Sequence, residues 1–220
     1  MEVEITDMSS LILDSHTDAV YCVAAHPTQP IIITGGGDDR AFLWSYTSSN
    51  DALTATSCTA LSGHTDTITA VGFNYDGTLF FTGAYDGIIQ VYSLDGTLQQ
   101  RLEGPEDIEW ATWHSKGNAI LAGSKDGTVW MWLAHNGQCM QVLAGHDGPV
   151  TAGVFSSDGK TICTGGEDSC VRLWAPKTGQ CKHVFNNIHD EMPVTCISTH
   201  EDLLMTGNNR YIALLSVLYC

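Results

Sequence analysis

Positive charge is what this sequence most lacks. Nine Lys and Arg face 25 Asp and Glu in 220 residues, for a formal net charge of −16. So acidic a surface repels phosphate backbones and anionic lipid, which argues against nucleic acid and membrane as direct partners and favours a basic one. The eight cysteines, at 22, 58, 139, 163, 170, 181, 196 and 220, include no C-x-x-C pair. Most are flanked by strand-like residues, as in YCVAA and TCIST, so small buried thiols in a reducing compartment are expected rather than a disulfide framework. The nine histidines are scattered, without the close spacing of ligand sets, and no metal site is expected. No apolar run reaches the length of a membrane span. The start, MEVEITDMSS, lacks the basic region of a signal peptide, and the apolar end, YIALLSVLYC, is too short to cross a bilayer. The expectation is a soluble intracellular protein. There is also no G-x-S-x-G and no phosphate-cradling loop. GGGDD at 35–39 is followed by no helical pattern, so anion capture at a helix end is unsupported. No cofactor is expected, and an enzyme is the remote reading.

What the sequence does have is repetition. TGGGDDRAFLW (34–44), TGAYDGIIQVY (82–92), AGSKDGTVWMW (122–132) and TGGEDSCVRLW (164–174) share a small residue, Gly, two variable residues, Asp, a turn, an alternating run and an aromatic. TGNNRYIALLS (206–216) keeps the frame but loses the Asp and the aromatic. The Asp-equivalent positions 38, 86, 126, 168 and 210 step by 48, 40, 42 and 42. That period, with Asp-Gly-type turns between short alternating runs, predicts a four-stranded antiparallel unit. Phe73, Trp113 and Phe155 share one frame position in the first strand. A single such sheet cannot bury both faces, so neighbouring units must stack, and radial stacking gives a β-propeller.

The fold class is therefore all-β, with about four complete blades and a partial fifth in an incomplete, truncated ring. Residues 1–14 form an N-terminal segment in which Leu11-Ile12-Leu13 supplies a lone outer strand, and 15–220 is the repeat domain. Its units lie near 15–61, 62–102, 103–143, 144–186 and 187–220. The first is long because SYTSSNDALTATSC, rich in turn formers, reads as an enlarged surface loop.

These motifs resemble the WD40 family. The resemblance implies a structural tetrad of His, Ser/Thr, Asp and Trp, falling on His16, Thr34, Asp38 and Trp44 in the first unit and on His146, Thr164, Asp168 and Trp174 in the fourth. The second unit offers His64, Thr82 and Asp86 with Tyr92 in place of the tryptophan. The third has Gly104 and Ala122 at the His and Thr positions, so only Asp126 and Trp132 match. These groups satisfy buried polar atoms and pin a turn rather than catalyse. The succession TGGGDDRAFLW, EDIEWATWH, LAGSKDGTVWMWLAHNG further resembles the angio-associated migratory cell protein family, from about Ser15 to about Gly207. That resemblance implies a non-enzymatic propeller of the cytoplasm, with the nucleus as a second location. The yeast member of the family shields the basic tail of a large-subunit ribosomal protein before assembly. A Lys/Arg-rich protein segment, ribosomal by that resemblance, is the expected partner, with a general signalling or trafficking scaffold as the alternative.

In WD40 propellers the rim of the central channel on the Asp-turn side is the usual binding face. The repeat frame puts Tyr21, Tyr85, Asp107, Glu109 and Glu167 there, and Glu106 in the adjoining loop extends the acidic field. Tyrosines can cover the aliphatic stems of Lys and Arg while carboxylates take their heads. Trp110 stands where units two and four carry Ala70 and Ala152. It is either compensation for the lost tetrad or a lip of the channel, and it joins the candidate partner-binding residues on the second reading.

Overall fold

A computed structural model describes residues 11–49, 52–201 and 203–216. The chain forms five antiparallel sheets in sequence order. The first holds β1 (Val20–Ala25), β2 (Ile31–Gly36), β3 (Ala41–Ser49) and β4 (Ala52–Leu61). The second holds β5 (Ile68–Phe73), β6 (Leu79–Ala84), β7 (Ile89–Ser93) and β8 (Leu98–Leu102). The third holds β9 (Ile108–Trp113), β10 (Ala119–Ser124), β11 (Thr128–Leu133) and β12 (Gln138–Ala144). The fourth holds β13 (Val150–Phe155), β14 (Ile162–Gly166), β15 (Val171–Trp174) and β16 (Cys181–Phe185). The fifth has three strands, β17 (Cys196–His200), β18 (Leu203–Gly207) and β19 (Ile212–Ser216). Each first strand packs against the next, β1 on β5, β5 on β9, β9 on β13 and β13 on β17, and no closed ring is detected among the described residues. No helix of the described residues is long and apolar enough to cross a membrane.

The alternating runs dictate this stacking, because in sheets two to four apolar side chains emerge from both faces. Ile33, Leu43 and Leu61 meet Ile68, Phe80 and Tyr92 between the first two sheets. Phe81, Val91 and Leu102 meet Ile108, Trp113 and Trp132 at the next contact, and Leu121, Val129 and Leu143 meet Val150, Phe155 and Trp174 at the third. Cys163 and Leu173 meet Val194 and Leu204 at the last. Each fully buried Val, Leu, Ile or Phe side chain contributes about 1.5–3 kcal/mol relative to exposure.

Within the sheets, the tetrads form where the frame puts them. His16 Nδ1 lies 2.9 Å from Asp38 Oδ1 and His16 Nε2 lies 2.8 Å from Thr34 Oγ1, which accepts the Trp44 indole N–H at 3.0 Å. The fourth sheet repeats this, with His146 Nδ1 3.0 Å from Asp168 Oδ1, Nε2 2.8 Å from Thr164 Oγ1, and Trp174 Nε1 2.8 Å from that oxygen. The chemistry fixes the proton order. An indole can only donate and a carboxylate only accepts, so Nδ1–H donates to Asp, Nε2 accepts the Thr hydroxyl, and the Thr oxygen accepts the indole. In the second sheet His64 bridges Asp86 and Thr82 at 3.0 and 2.7 Å, while the Tyr92 hydroxyl donates to the Gln90 side-chain carbonyl.

Two sheets depart from the pattern. In the third, a Cβ at Gly104 would collide with the Trp130 ring, as one at Gly63 would meet Gln90 and one at Gly145 would approach Arg172, the residues at the same strand position. Trp130 Nε1 donates to Thr128 Oγ1 at 2.8 Å, and the ring stacks on Trp132. In the fifth, His189, one residue out of frame, reaches Thr206 Oγ1 at 2.9 Å, and its buried Nδ1 has no hydrogen-bond partner among the described residues. The repeat spacing alone does not reach His189, which lies one residue nearer to its threonine than the other tetrad histidines do.

Three further expectations are corrected. Leu11, Ile12 and Leu13 form no strand; residues 1–10 of the 1–14 segment lie outside the described residues, as do 217–220 of the last unit. SYTSSNDALTATSC is not an enlarged loop but the body of a long hairpin, because its Thr, Ser and Ala alternation pairs β3 with β4 from Ala41 opposite Leu61 to Ser49 opposite Ala52. The thiols are not uniformly buried: Cys163 is, whereas Cys58, Cys139 and Cys196 are exposed.

The tetrads make stability depend on pH. Burial lowers the pKa of His64 and His146, against the opposing pull of Asp86 and Asp168. Burial would raise Asp38 and Asp168, but bonds from the Thr17 N–H and His16 imidazole, and from the His146 imidazole and Asp147 N–H, outweigh it and lower both. A depressed folded-state pKa means that the unfolded chain takes up the proton first. Stability is therefore full above the ordinary histidine value of 6.5, and falls as pH drops through the histidine range and then the carboxylate range. Thr164→Val leaves both the Trp174 N–H and His146 Nε2 without a partner and is expected to cost about 2–4 kcal/mol in urea unfolding at neutral pH. A cost below about 0.5 kcal/mol would show that the tetrad does not fasten the fourth sheet.

Candidate functional site

One backbone bond, repeated in four sheets, builds the rim. The N–H groups of Gly37, Tyr85, Lys125 and Glu167, each next to the turn Asp, donate to the carbonyls of Ala19, Thr67, Asp107 and Pro149 at 2.9–3.1 Å. The turn is thereby clamped to the start of each inner strand, and these side chains are held around one end of the array. What varies is the side chain two residues further on, at Tyr21, Thr69, Glu109 and Thr151.

In sheets two and four that residue reaches forward. Thr69 Oγ1 donates to the Ile108 carbonyl at 2.6 Å, and Thr151 Oγ1 to the Val194 carbonyl. Tyr21 and Glu109 do not make this bridge, and the next residue takes it over. Cys22 Sγ lies 3.6 Å from the Ile68 carbonyl, and Trp110 Nε1 donates to the Val150 carbonyl at 2.8 Å. All four acceptors occupy the same frame position. Trp110 is thus placed between sheets three and four, where a Cβ at Gly123 or Gly153 would overlap its indole. Its neighbour Trp113 points the other way, donating to the Gly72 carbonyl of the second sheet at 2.9 Å. The indole of Trp110 thus ties the third sheet to the fourth.

With the bridge delegated to Trp110, the Glu109 carboxylate is free to face the rim. The Tyr85 hydroxyl of the second sheet and the charged groups of Asp107, Lys125 and Glu167 lie within electrostatic reach of it. Partial burial, reinforced by Asp107 and Glu167, raises the Glu109 pKa against the opposing Lys125. Burial, then the charges of Glu109 and Asp107, raises that of Tyr85. Lys125 Nζ sits 3.1 Å from Asp107 Oδ2, an exposed ion pair, and such pairs are worth about 0–1 kcal/mol. The structure therefore gathers Tyr85, Asp107, Glu109 and Glu167 from three adjacent sheets. Tyr21 stands apart beside Asp18 and Gly37 of the first sheet, and the Glu106 carbonyl lies against Gly87 of the second. Among the described residues no three His, Cys, Asp or Glu side chains could hold a metal ion.

Comparisons with known proteins place the repeats in a family. The WD domain, G-beta repeat family matches residues 8–45, 55–93, 96–132 and 137–175. The angio-associated migratory cell protein of Pongo abelii is 35% identical over 206 residues, which are 92% of this chain and 46% of that protein. The ribosome assembly protein SQT1 of Saccharomyces cerevisiae is 27% identical over 153 residues, covering 66% of this chain and 35% of that protein. The crystal structure of Saccharomyces cerevisiae Sqt1 superposes with a TM-score of 0.81 at 24% identity, over 93% of this chain and 61% of that one. The chain thus spans about half the length (46%) of the first of these relatives.

The packing of Trp110 can be tested directly. Gly123→Ala pushes a methyl group into the indole and is expected to cost about 1–3 kcal/mol. In the Trp110→Ala background the same change should cost much less, since the ring it strikes is gone. Additive urea midpoints in the double variant would show that Trp110 does not occupy this gap.

Proposed function

The chain belongs to the WD40 repeat family, and from that premise we propose that it is a non-enzymatic interaction module whose acidic rim binds a Lys/Arg-rich protein segment. The observation that carries this reading is the gathering of Tyr85, Asp107, Glu109 and Glu167 from three sheets at one end of the array. Individually such contacts are weak, but several carboxylates converging beside a tyrosine can hold a basic side chain by its head and its stem. The net charge of −16 adds steering of a cationic partner toward the rim. Likeness to a protein named for ribosome assembly supports a newly made ribosomal protein as that partner, with this chain shielding its basic segment.

Titration with a Lys/Arg-rich peptide tests the reading. Charge reversal at Asp107, Glu109 and Glu167 together should weaken binding by roughly 10-fold or more at low salt, and added salt should narrow the difference. Unchanged affinity would sink the proposal. A second signature comes from Glu109, whose raised pKa means that a cationic ligand binds its ionised form. Affinity should fall with decreasing pH from above the ordinary glutamate range, and Glu109→Gln should remove that part of the pH profile.

A further inference from the structure

Cations are scarce in this chain, and they are unevenly placed. Of nine Lys and Arg, four lie at the end of sheets three and four opposite the rim. Lys116 sits in the β9–β10 turn, Lys160 in the β13–β14 turn, Lys177 in the β15–β16 turn and Lys182 near the start of β16. In the four turns at this end of the two sheets the only carboxylate is Asp158. Its Oδ1 accepts the Ser156 hydroxyl at 2.7 Å and the Lys160 N–H at 2.9 Å, and its Oδ2 lies 3.6 Å from the Lys160 amine. Elsewhere Arg101, Lys125 and Arg172 stand beside Glu103, Asp107 and Asp168. Among the described residues, Lys116, Lys177 and Lys182 pair with no carboxylate.

The four lysines belong to one surface. The Lys116 N–H donates to His114 Nδ1 at 3.1 Å, and the other side of that ring lies against Gly159 of the fourth sheet, where a Cβ would overlap it. Gln141 Nε2 of β12 donates to the Lys177 carbonyl at 3.0 Å. Sheets three and four are thereby joined at this end. The Lys182 amine donates to Thr161 Oγ1 at 3.1 Å and to the Lys160 carbonyl at 3.5 Å, which draws it to the β13–β14 turn. Between this turn and the β15–β16 turn lies a cavity of about 360 Å³, lined by Gly159, Lys160, Ala175, Pro176, Lys177 and Thr178. An alanine and a proline beside two lysines can receive an apolar side chain flanked by negative charge. Carboxylates return on either side of the patch, at Asp76 and Asp95 in the second sheet and Glu201 in the fifth.

We propose that this basic end binds an acidic protein segment, its carboxylates spread over the lysines and one apolar side chain in the cavity. A lysine amine is a point charge that takes a carboxylate without a fixed geometry. Here the amines are distributed over two sheets rather than aimed at one point. That suits several carboxylates along a peptide better than a single phosphate, which arginine forks or clustered backbone N–H groups would hold. A nucleic acid would run past the patch onto Asp76, Asp95 and Glu201, against a net charge of −16. The site lies at the other end of the array from the acidic rim, so it does not rest on the function proposed for the rim.

Fluorescence-anisotropy titration of the full chain with a Glu-rich peptide carrying one central Leu tests this. Affinity should fall as salt is added, and Lys160→Glu with Lys177→Glu should weaken binding by roughly 10-fold or more at low salt. Arg40→Glu with Arg210→Glu changes the net charge equally but at the rim end, and should shift affinity by no more than about twofold. All four side chains are exposed, so both double variants should melt close to wild type. Replacing the peptide's Leu by Ser should weaken binding roughly fivefold or more. A wild type that does not bind, equal losses in the two double variants, or undiminished binding of the Ser peptide would each overturn the proposal. So would a phosphorylated peptide or a short RNA that bound through Lys160 and Lys177 more tightly than the acidic peptide.

Discussion

The structure depends on one constraint: a four-stranded sheet of alternating residues, apolar on both faces, must be covered on both. Stacking meets the apolar part of that demand, through Ile68 over Gly35 and its counterparts. A polar bond accompanies each contact, in which a side chain from one sheet reaches the carbonyl of the seated residue in the next. Four different donors do this: Cys22, Thr69, Trp110 and Thr151. The constant element is the acceptor, because it is backbone and fixed by the fold, while the donor is free to vary.

That freedom explains the third sheet. It has lost the imidazole and the threonine of its tetrad, yet it keeps four strands and a continuous core. Trp130 packs over Gly104, and Trp110 and Trp113 tie β9 to both neighbours. The outcome is a rim position released from bridging, where a carboxylate stands in place of a threonine.

The five-unit array, the turn positions and the complete tetrads were legible in the sequence, because each rests on residues a fixed distance apart within one unit. What was not legible involves pairs of residues in different units or out of frame. Trp110 is meaningful only with Gly153, which lies in the next sheet. His189 is displaced by one residue, so a fixed frame points to Ile188 instead. The long β3–β4 hairpin was hidden because Ser, Thr, Asn and Asp signal turns locally, while cross-strand pairing with β3 overrides that preference. The frame put Tyr85, Asp107, Glu109, Lys125 and Glu167 near one another, but not the ion pair that Lys125 makes with Asp107, which depends on side-chain conformation.

In every sheet the strands are ordered as they are in the chain, so each strand pairs with one made just before it. No strand must wait for distant residues, and the entropy of closing a long loop never arises. A chain emerging from the ribosome can complete each sheet as its few dozen residues appear, and each finished sheet offers a template face to the next. The same order leaves the newest face apolar and uncovered at every stage, so the growing array is most adhesive at its most recent edge.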